Sequence, residues 1–344
     1  MIYQEEQPKI RLWHYLPILI MLGVAVYLLM PQITILQNSW SVVKSMIWWA
    51  VTLAVLMELL SYMGSGFMLH AILDINQQKL SILKGSLIIL ASTSIGLVAG
   101  GWVGSAAATY GWIRREHSDR NTATLAGILP AMLNNSILAG VALIGTIYLL
   151  IVHNLSQVQF IEFVIILTVL GFITLGMAVA LRFPETVTKL AVRLTGTWAK
   201  IRHKPYAPDK IIEWIKQFVI VWKSLHNGKW LRPVLGALAN VGFDMLALYF
   251  LFIVAGYNIN LGILFVGYGL PFILGKMAFL FPGGVGVIEG SMVALYNSLH
   301  VPNDISVVVI LGYRLLSFWL PTLLGFMAAS YLSRKSIHSE LKQA

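Results

Sequence analysis

Six ionisable residues interrupt otherwise apolar stretches of the chain: Glu58, Glu162, Asp244, Lys276, Glu289 and Arg314. At the centre of a membrane helix each costs about 2.5–3.5 kcal/mol, so such groups should face a bundle interior or a wet cavity rather than lipid. Two chemistries suit the set. Lys276 and Arg314 can attract a phosphate while Glu289 and Asp244 engage a cationic or hydroxylated headgroup, with Glu58 on the same polar path. Alternatively the charges neutralise one another, as Glu289 with Arg314 or Asp244 with Lys276. Both can hold, since a resting ion pair can open for a substrate. Glu58, Asp244 and Glu289 could also carry a proton, and Glu289 or Asp244 could act as a general base in a transferase. Glu162 begins its stretch and is assigned to the interface. His14, His70 and His153 lie near predicted membrane surfaces, without an acid at ligand spacing, and cysteine is absent. Neither a metal nor a cofactor is expected.

The charges lie close to breaks in helical pattern. In "FPGGVGVIEG", residues 281–290, Pro282 removes a backbone donor, and Gly283, Gly284 and Gly286 permit positive φ. Unwound backbone at membrane depth is tolerated only where protein buries it or it lines a cavity. The helix restarting near Val287 would point free amides at the break, where an anion such as a lipid phosphate could sit. A second break is expected at "AGG", Ala99, Gly100 and Gly101. There Gly96, Gly100, Gly104 and Ala108 also form a small-residue stripe that would suit close packing of an unbroken helix.

The elements that must position these residues are membrane helices. The 344 residues are 58% hydrophobic and 11% charged, with a mean hydropathy of +0.78, against about 25% charged in a soluble domain. Apolar runs are predicted at 12–31, 42–70, 80–112 and 261–299 (both interrupted by glycine), 122–152, 159–181, 233–256 and 305–333. The runs are continuous rather than alternating, which excludes a β-barrel. The first run, which lacks a cleavage site, reads as a retained helix.

Between Arg182 and Arg232 lie eleven Lys/Arg and three acids, a cytoplasmic signature. Two amphipathic stretches there would lie on anionic lipid. The net charge of +10 flanks membrane segments, and nucleic acid is not expected as a partner. If every run crossed fully, Arg114, Arg115 and Arg120 would face outward. They return inside if 80–112 and 261–299 are re-entrant hairpins entering from opposite faces. The resulting fold is an all-α polytopic membrane protein forming one domain over 1–344. It has six full crossings and two hairpins, in halves near 40–152 and 230–333, as an inverted repeat would give. Both termini are then cytoplasmic, in the cell membrane. Glu58 precedes the first glycine pair by about 42 residues and Asp244 the second by about 39. Trp48, Trp49, Trp112 and Trp230, like Trp13 and Trp40, read as interface anchors.

"FPGGVGVIEG", followed by "GYRLLSFWLPTLLGF", resembles the C-terminal signature of the lysylphosphatidylglycerol synthase transmembrane-region family of flippase-like proteins. "AGGWVGSAAATYGWIRREHSDRNTA" is similar to that family's other hairpin, with Ala99 in place of the usual proline. The pattern maps onto Pro282, Gly283, Gly284, Gly286, Glu289, Arg314 and Pro321, the last expected as a further break. The resemblance implies a module that translocates lipid between leaflets, here a stand-alone member whose chain ends soon after its last helix. A lipid translocase is therefore the expected function, without nucleotide hydrolysis, since no GxxxxGK[ST] loop is present. An accessory subunit for a separate synthase or glycosyltransferase and an intramembrane lipid-modifying transferase are the alternatives. Oligomeric state is not readable.

Overall fold

The computed structural model describes residues 46–116, 118–152, 230–277 and 282–341, with isolated positions between 161 and 193. The predicted helices 12–31 and 159–181, Glu162, His14, His153, and almost all of the basic stretch 182–232 lie outside the described residues. Within them the chain is helical. The elements are α1 (Trp48–Asp74), α2 (Ile82–Val98), α3 (Trp102–Arg115), α4 (Arg120–Val152), α5 (Leu231–Val254), α6 (Leu261–Met277), α7 (Val287–Ser298), α8 (Asn303–Arg314) and α9 (Leu320–Leu341).

Four of the described segments are long and apolar enough to cross a membrane: α1, α4, α5 and the continuous run Asn303–Arg334 through α8 and α9. Their outward faces carry Leu56, Leu59, Met63, Ile144, Ile147, Leu235, Leu323 and Met327, an apolar exterior suited to lipid. α7, with 12 residues, reaches only about 18 Å at 1.5 Å per residue and cannot cross a ~30 Å core.

Contacts at the two ends of the bundle fix the direction of each helix. At one end Asp74 pairs with Arg232 and Lys84 with Glu116, and Gln78 Nε2 donates to Asp119. The start of α2, the end of α3 and the starts of α4 and α5 therefore share that end. At the other, Ile47 N–H donates to the Val254 carbonyl at 3.2 Å, joining the start of α1 to the end of α5. α1 and α5 thus run antiparallel along their length. The hairpin α2–α3 returns to the basic end, where Lys79, Lys84, Arg114, Arg115 and Arg120 gather as the charge pattern requires.

The two halves repeat in order and invert in direction. α1, the α2–α3 hairpin and α4 correspond to α5, the α6–α7 hairpin and α8–α9. Packing is reciprocal: α1 lies against α5, α4 against α6, and α9 against α2. Small residues permit each approach. A Cβ on Gly236 would sit 2.6 Å from the Met68 backbone, and Ser94 Oγ donates to the Thr322 carbonyl at 3.1 Å.

Both glycine breaks are present. α2 ends at Val98, and Gly100 and Gly101 follow with φ of 90° and 68°. The small-residue stripe survives the break and serves it. A Cβ on Gly104 would meet the Ala99 carbonyl at 2.3 Å, so the stripe packs α3 back onto α2. Two expectations need correction. Trp112 is only 7% exposed and packs with Leu73, Leu80 and Ile113, so it is a core residue rather than an interface anchor. The expectation for His70 needs no change: it sits in the last turns of α1 near the basic end, against the Leu80 carbonyl. Pro321 does not break its helix: the turn before it, Leu315–Trp319, widens to π geometry and the helix continues. Pro321 has no N–H for the Ser317 carbonyl, and the wider turn accommodates the gap.

This topology predicts opposite sidedness for the ends of the two hairpins. Because the native chain lacks cysteine, Arg115→Cys and Ser298→Cys can each be labelled alone in intact cells. A membrane-impermeant maleimide added outside should modify Ser298→Cys and leave Arg115→Cys untouched. Labelling of both from one side is incompatible with the fold. Ser118, near the same hairpin end, is only 4% exposed and would report poorly.

Candidate functional site

At the second break the chain makes a 3-10 turn, Pro282–Gly284, and then enters α7 through Gly286, with φ of 65°, 65° and 82° at Gly283, Gly284 and Gly286. Glu289 is the third residue of α7. Its Oε2 accepts from the Gly286 N–H at 2.7 Å, closing the first turn with a carboxylate where the helix dipole favours one. The amide position foreseen for a bound phosphate is thus held by the protein's own acid.

The other carboxylate oxygen meets α8. Arg314 Nε donates to Glu289 Oε1 at 2.7 Å, and Arg314 Nη2 donates to the Gly283 carbonyl at 3.2 Å. Both side chains are essentially enclosed, Glu289 at 1% and Arg314 at 2% exposure. The π turn places the Phe318 ring 4.2 Å from the guanidinium carbon, a cation–π contact on the face that Glu289 leaves open. A Cβ on Gly283 would strike that ring at 2.4 Å and Leu97 of α2 at 2.9 Å. One guanidinium therefore ties α7, the broken turn and the π turn together, with the end of the first hairpin's leading helix alongside.

A second acid pair adjoins the first. Asp244, midway along α5, accepts from Tyr268 of α6 at 2.7 Å and from Tyr313 of α8 at 2.9 Å, one phenol on each oxygen. Across the α1–α5 contact, where Asn240 Nδ2 donates to Ser61 Oγ at 2.8 Å and Gly236 lies against Met68, the antiparallel register sets Glu58 beside Asp244, and Arg314 lies near the same acid. The phenols are fixed by a ring cluster in which Tyr268 and Tyr313 stand edge to face at 6.5 Å, with Phe272 against both. Four of the five charges singled out in mid-helix are neighbours in one row, Glu58, Asp244, Arg314 and Glu289, with Tyr313 joining Asp244 to the helix that carries Arg314.

Lys276 is not in that row. It is exposed near the end of α6 and donates to Asn135 of α4. The alternative pairing of Asp244 with Lys276 does not form. Tyr268 is the α6 residue level with Asp244, and Lys276 lies eight residues further on, about 12 Å along the axis. The tyrosines and Phe318 were not singled out from the sequence. Yet Tyr313 directly precedes Arg314, and a tyrosine inside an apolar helix needs a partner for its hydroxyl, which was a usable signal.

The sequence profile of the family described as lysylphosphatidylglycerol synthase TM region matches residues 16–325. Three archaeal proteins, each described as a UPF0104 membrane protein, are also similar. The one from Methanocaldococcus jannaschii is 26% identical over 154 residues, 44% of this chain and 44% of that protein. The one from Pyrococcus horikoshii is 39% identical over 85 residues, 24% and 25% of the two chains. The one from Methanothermobacter thermautotrophicus is 30% identical over 88 residues, 26% of each. The aligned stretches span under half the length of these curated relatives.

Proposed function

Since the chain belongs to the lysylphosphatidylglycerol synthase TM region family, we propose that it moves the headgroup of a phospholipid or isoprenoid-linked lipid between membrane leaflets, acting as a carrier rather than an enzyme. The observation carrying this reading is the row Glu58–Asp244–Arg314–Glu289, buried at Glu58, Glu289 and Arg314 and partly buried at Asp244, which ends on the Pro282–Gly286 break of an otherwise apolar bundle. A headgroup crossing hydrocarbon alone loses its hydration, and a line of polar side chains at membrane depth replaces it. Acyl tails remain outside, along the apolar faces.

Within this reading Arg314 is the anion-binding residue. A lipid phosphate would displace Glu289 Oε1 from Nε and take a paired set of donors from the guanidinium. Glu289 would keep its Gly286 contact, so α7 stays capped while the ion pair opens. Lys276, exposed at the end of α6, would meet the headgroup before Arg314 does. By the positive-inside rule we assign the basic end and both termini to the cytoplasmic side, and the basic composition of 182–232 supports anionic lipid as its partner.

The test is transbilayer movement in proteoliposomes of fluorescently labelled phosphatidylglycerol, lysylphosphatidylglycerol and a polyprenyl phosphate. Wild-type protein should accelerate at least one. Arg314→Lys, which keeps the charge and loses the fork, should slow it by about ten- to a hundredfold, the equivalent of a charge-assisted contact worth ~1.5–3 kcal/mol. Absence of movement with all three would overturn the carrier reading and favour an accessory role beside a separate lipid synthase or glycosyltransferase.

A further inference from the structure

The repeat relation gives the second acid pair a meaning beyond its contacts. Glu58 lies on α1 and Asp244 on α5, corresponding helices of the two inverted halves. Each lies mid-helix, ahead of its own half's glycine break by a similar distance. The helices cross antiparallel, so corresponding positions near their middle meet at the seam between the halves. A like-charged pair cannot form a hydrogen bond there unless one carboxyl holds a proton, because a carboxylate only accepts. Asp244 already accepts a phenol O–H on each oxygen, contacts that stabilise its charged form and favour Glu58 as the holder of the proton. Glu58 is 7% exposed, and its Oε2 is enclosed without a hydrogen-bond partner. A buried acid serving only as glue would have that oxygen satisfied.

We propose that Glu58 and Asp244 share one exchangeable proton at the seam between the repeats, and that its release and uptake are coupled to lipid movement. The coupling rests on the carrier reading above, while the shared proton rests on the placement of the two acids at the α1–α5 seam and on the enclosed, unpartnered Oε2 of Glu58. Losing the proton leaves two carboxylates facing each other across the α1–α5 contact, and they repel the halves apart. The groups facing the pair are Tyr62 on α1, Tyr268 on α6, and Tyr313 and Arg314 on α8. α4, which packs on both helices, carries only Arg120 and Tyr148, near its two ends. Arg314 is the single cation among the named groups that face the pair, Arg120 lying at the basic end of α4. A phosphate that draws Arg314 toward itself withdraws the positive charge from Asp244 and strengthens the pair's hold on its proton. Anion and proton would then travel together.

Two measurements with separate readouts test this. Infrared difference spectra across a pH titration of detergent-solubilised protein should contain a protonated-carboxyl C=O band that is lost in Glu58→Gln. That variant keeps an N–H donor toward Asp244, so its unfolding temperature should match wild type, and Asp244→Asn provides the reciprocal check. Absence of the band overturns the shared proton. In proteoliposomes with a pH gradient, labelled phosphatidylglycerol should redistribute between leaflets by up to about tenfold per pH unit for one proton per lipid, and in Glu58→Gln the ratio of movement with the gradient to movement without it should fall to one. Movement of wild type that ignores the gradient overturns the coupling and leaves translocation intact. No movement at any pH overturns translocation of this lipid and the coupling with it.

Discussion

Glu289→Ala is expected to destabilise the solubilised protein by about 3–5 kcal/mol, the cost of stranding one member of a buried ion pair. Two losses combine: Arg314 keeps its charge at 2% exposure with its carboxylate gone, and the Gly286 N–H loses its acceptor. Glu289→Gln separates them. The amide oxygen can still accept from one of the two donors, so this variant should fall between wild type and alanine. Arg314→Met combined with Glu289→Leu removes both charges in similar volume. The double variant should recover much of the stability lost by Glu289→Ala while remaining inactive in lipid movement. Reversible unfolding in mixed micelles, read as a double-mutant cycle, measures this. A double variant no more stable than the single one would show that the pair's worth lies in shape rather than charge.

Gly283→Leu should be nearly as severe, and Gly100→Leu much milder. Both glycines have positive φ, which costs a side-chain-bearing residue about 1–2 kcal/mol. At Gly100 nothing lies within 4 Å of an added Cβ, so that backbone cost is the whole expectation. At Gly283 the side chain would drive Phe318 off Arg314 and press on Leu97, adding about 1–3 kcal/mol of overpacking. The same unfolding measurement applies, and equal losses at the two positions would contradict the packing described. Lipid movement should vanish in Gly283→Leu, since Phe318 and the Gly283 carbonyl both hold the guanidinium.

What the sequence made legible follows the strength of its local signals. Proline and paired glycines announce a break because they act on the backbone directly, and both breaks lie where the pattern puts them. The basic residues near Arg114 required a returning hairpin, since no other path brings them to the end shared with Lys84. The ion pair of Glu289 with Arg314 was open to view, because an isolated acid and base in apolar surroundings have few other solutions. Partners reached across helices were less visible. Asp244 could be assigned to Lys276 as easily as to a tyrosine, because helix register relative to a neighbour is set by packing that no single segment encodes. The π turn was hidden for a related reason: Pro321 signals a missing donor, but whether the helix breaks or widens depends on Phe318 finding Arg314. Trp112 misled because tryptophan's interfacial preference is an average that a well-packed helix crossing overrides.

The reciprocal packing of the halves carries a mechanical consequence. Each hairpin is clasped by the long helix of the opposite half, α6 by α4 and α2 by α9, while α1 and α5 form the shared pivot. Neither hairpin can shift without dragging a helix that belongs to the other half. Because the halves are inverted, a tilt that parts the helices at one face would draw them together at the other. For a carrier of the kind proposed above, alternate exposure of the central charges would follow from the linkage itself, as in a seesaw, without a dedicated gate on either face.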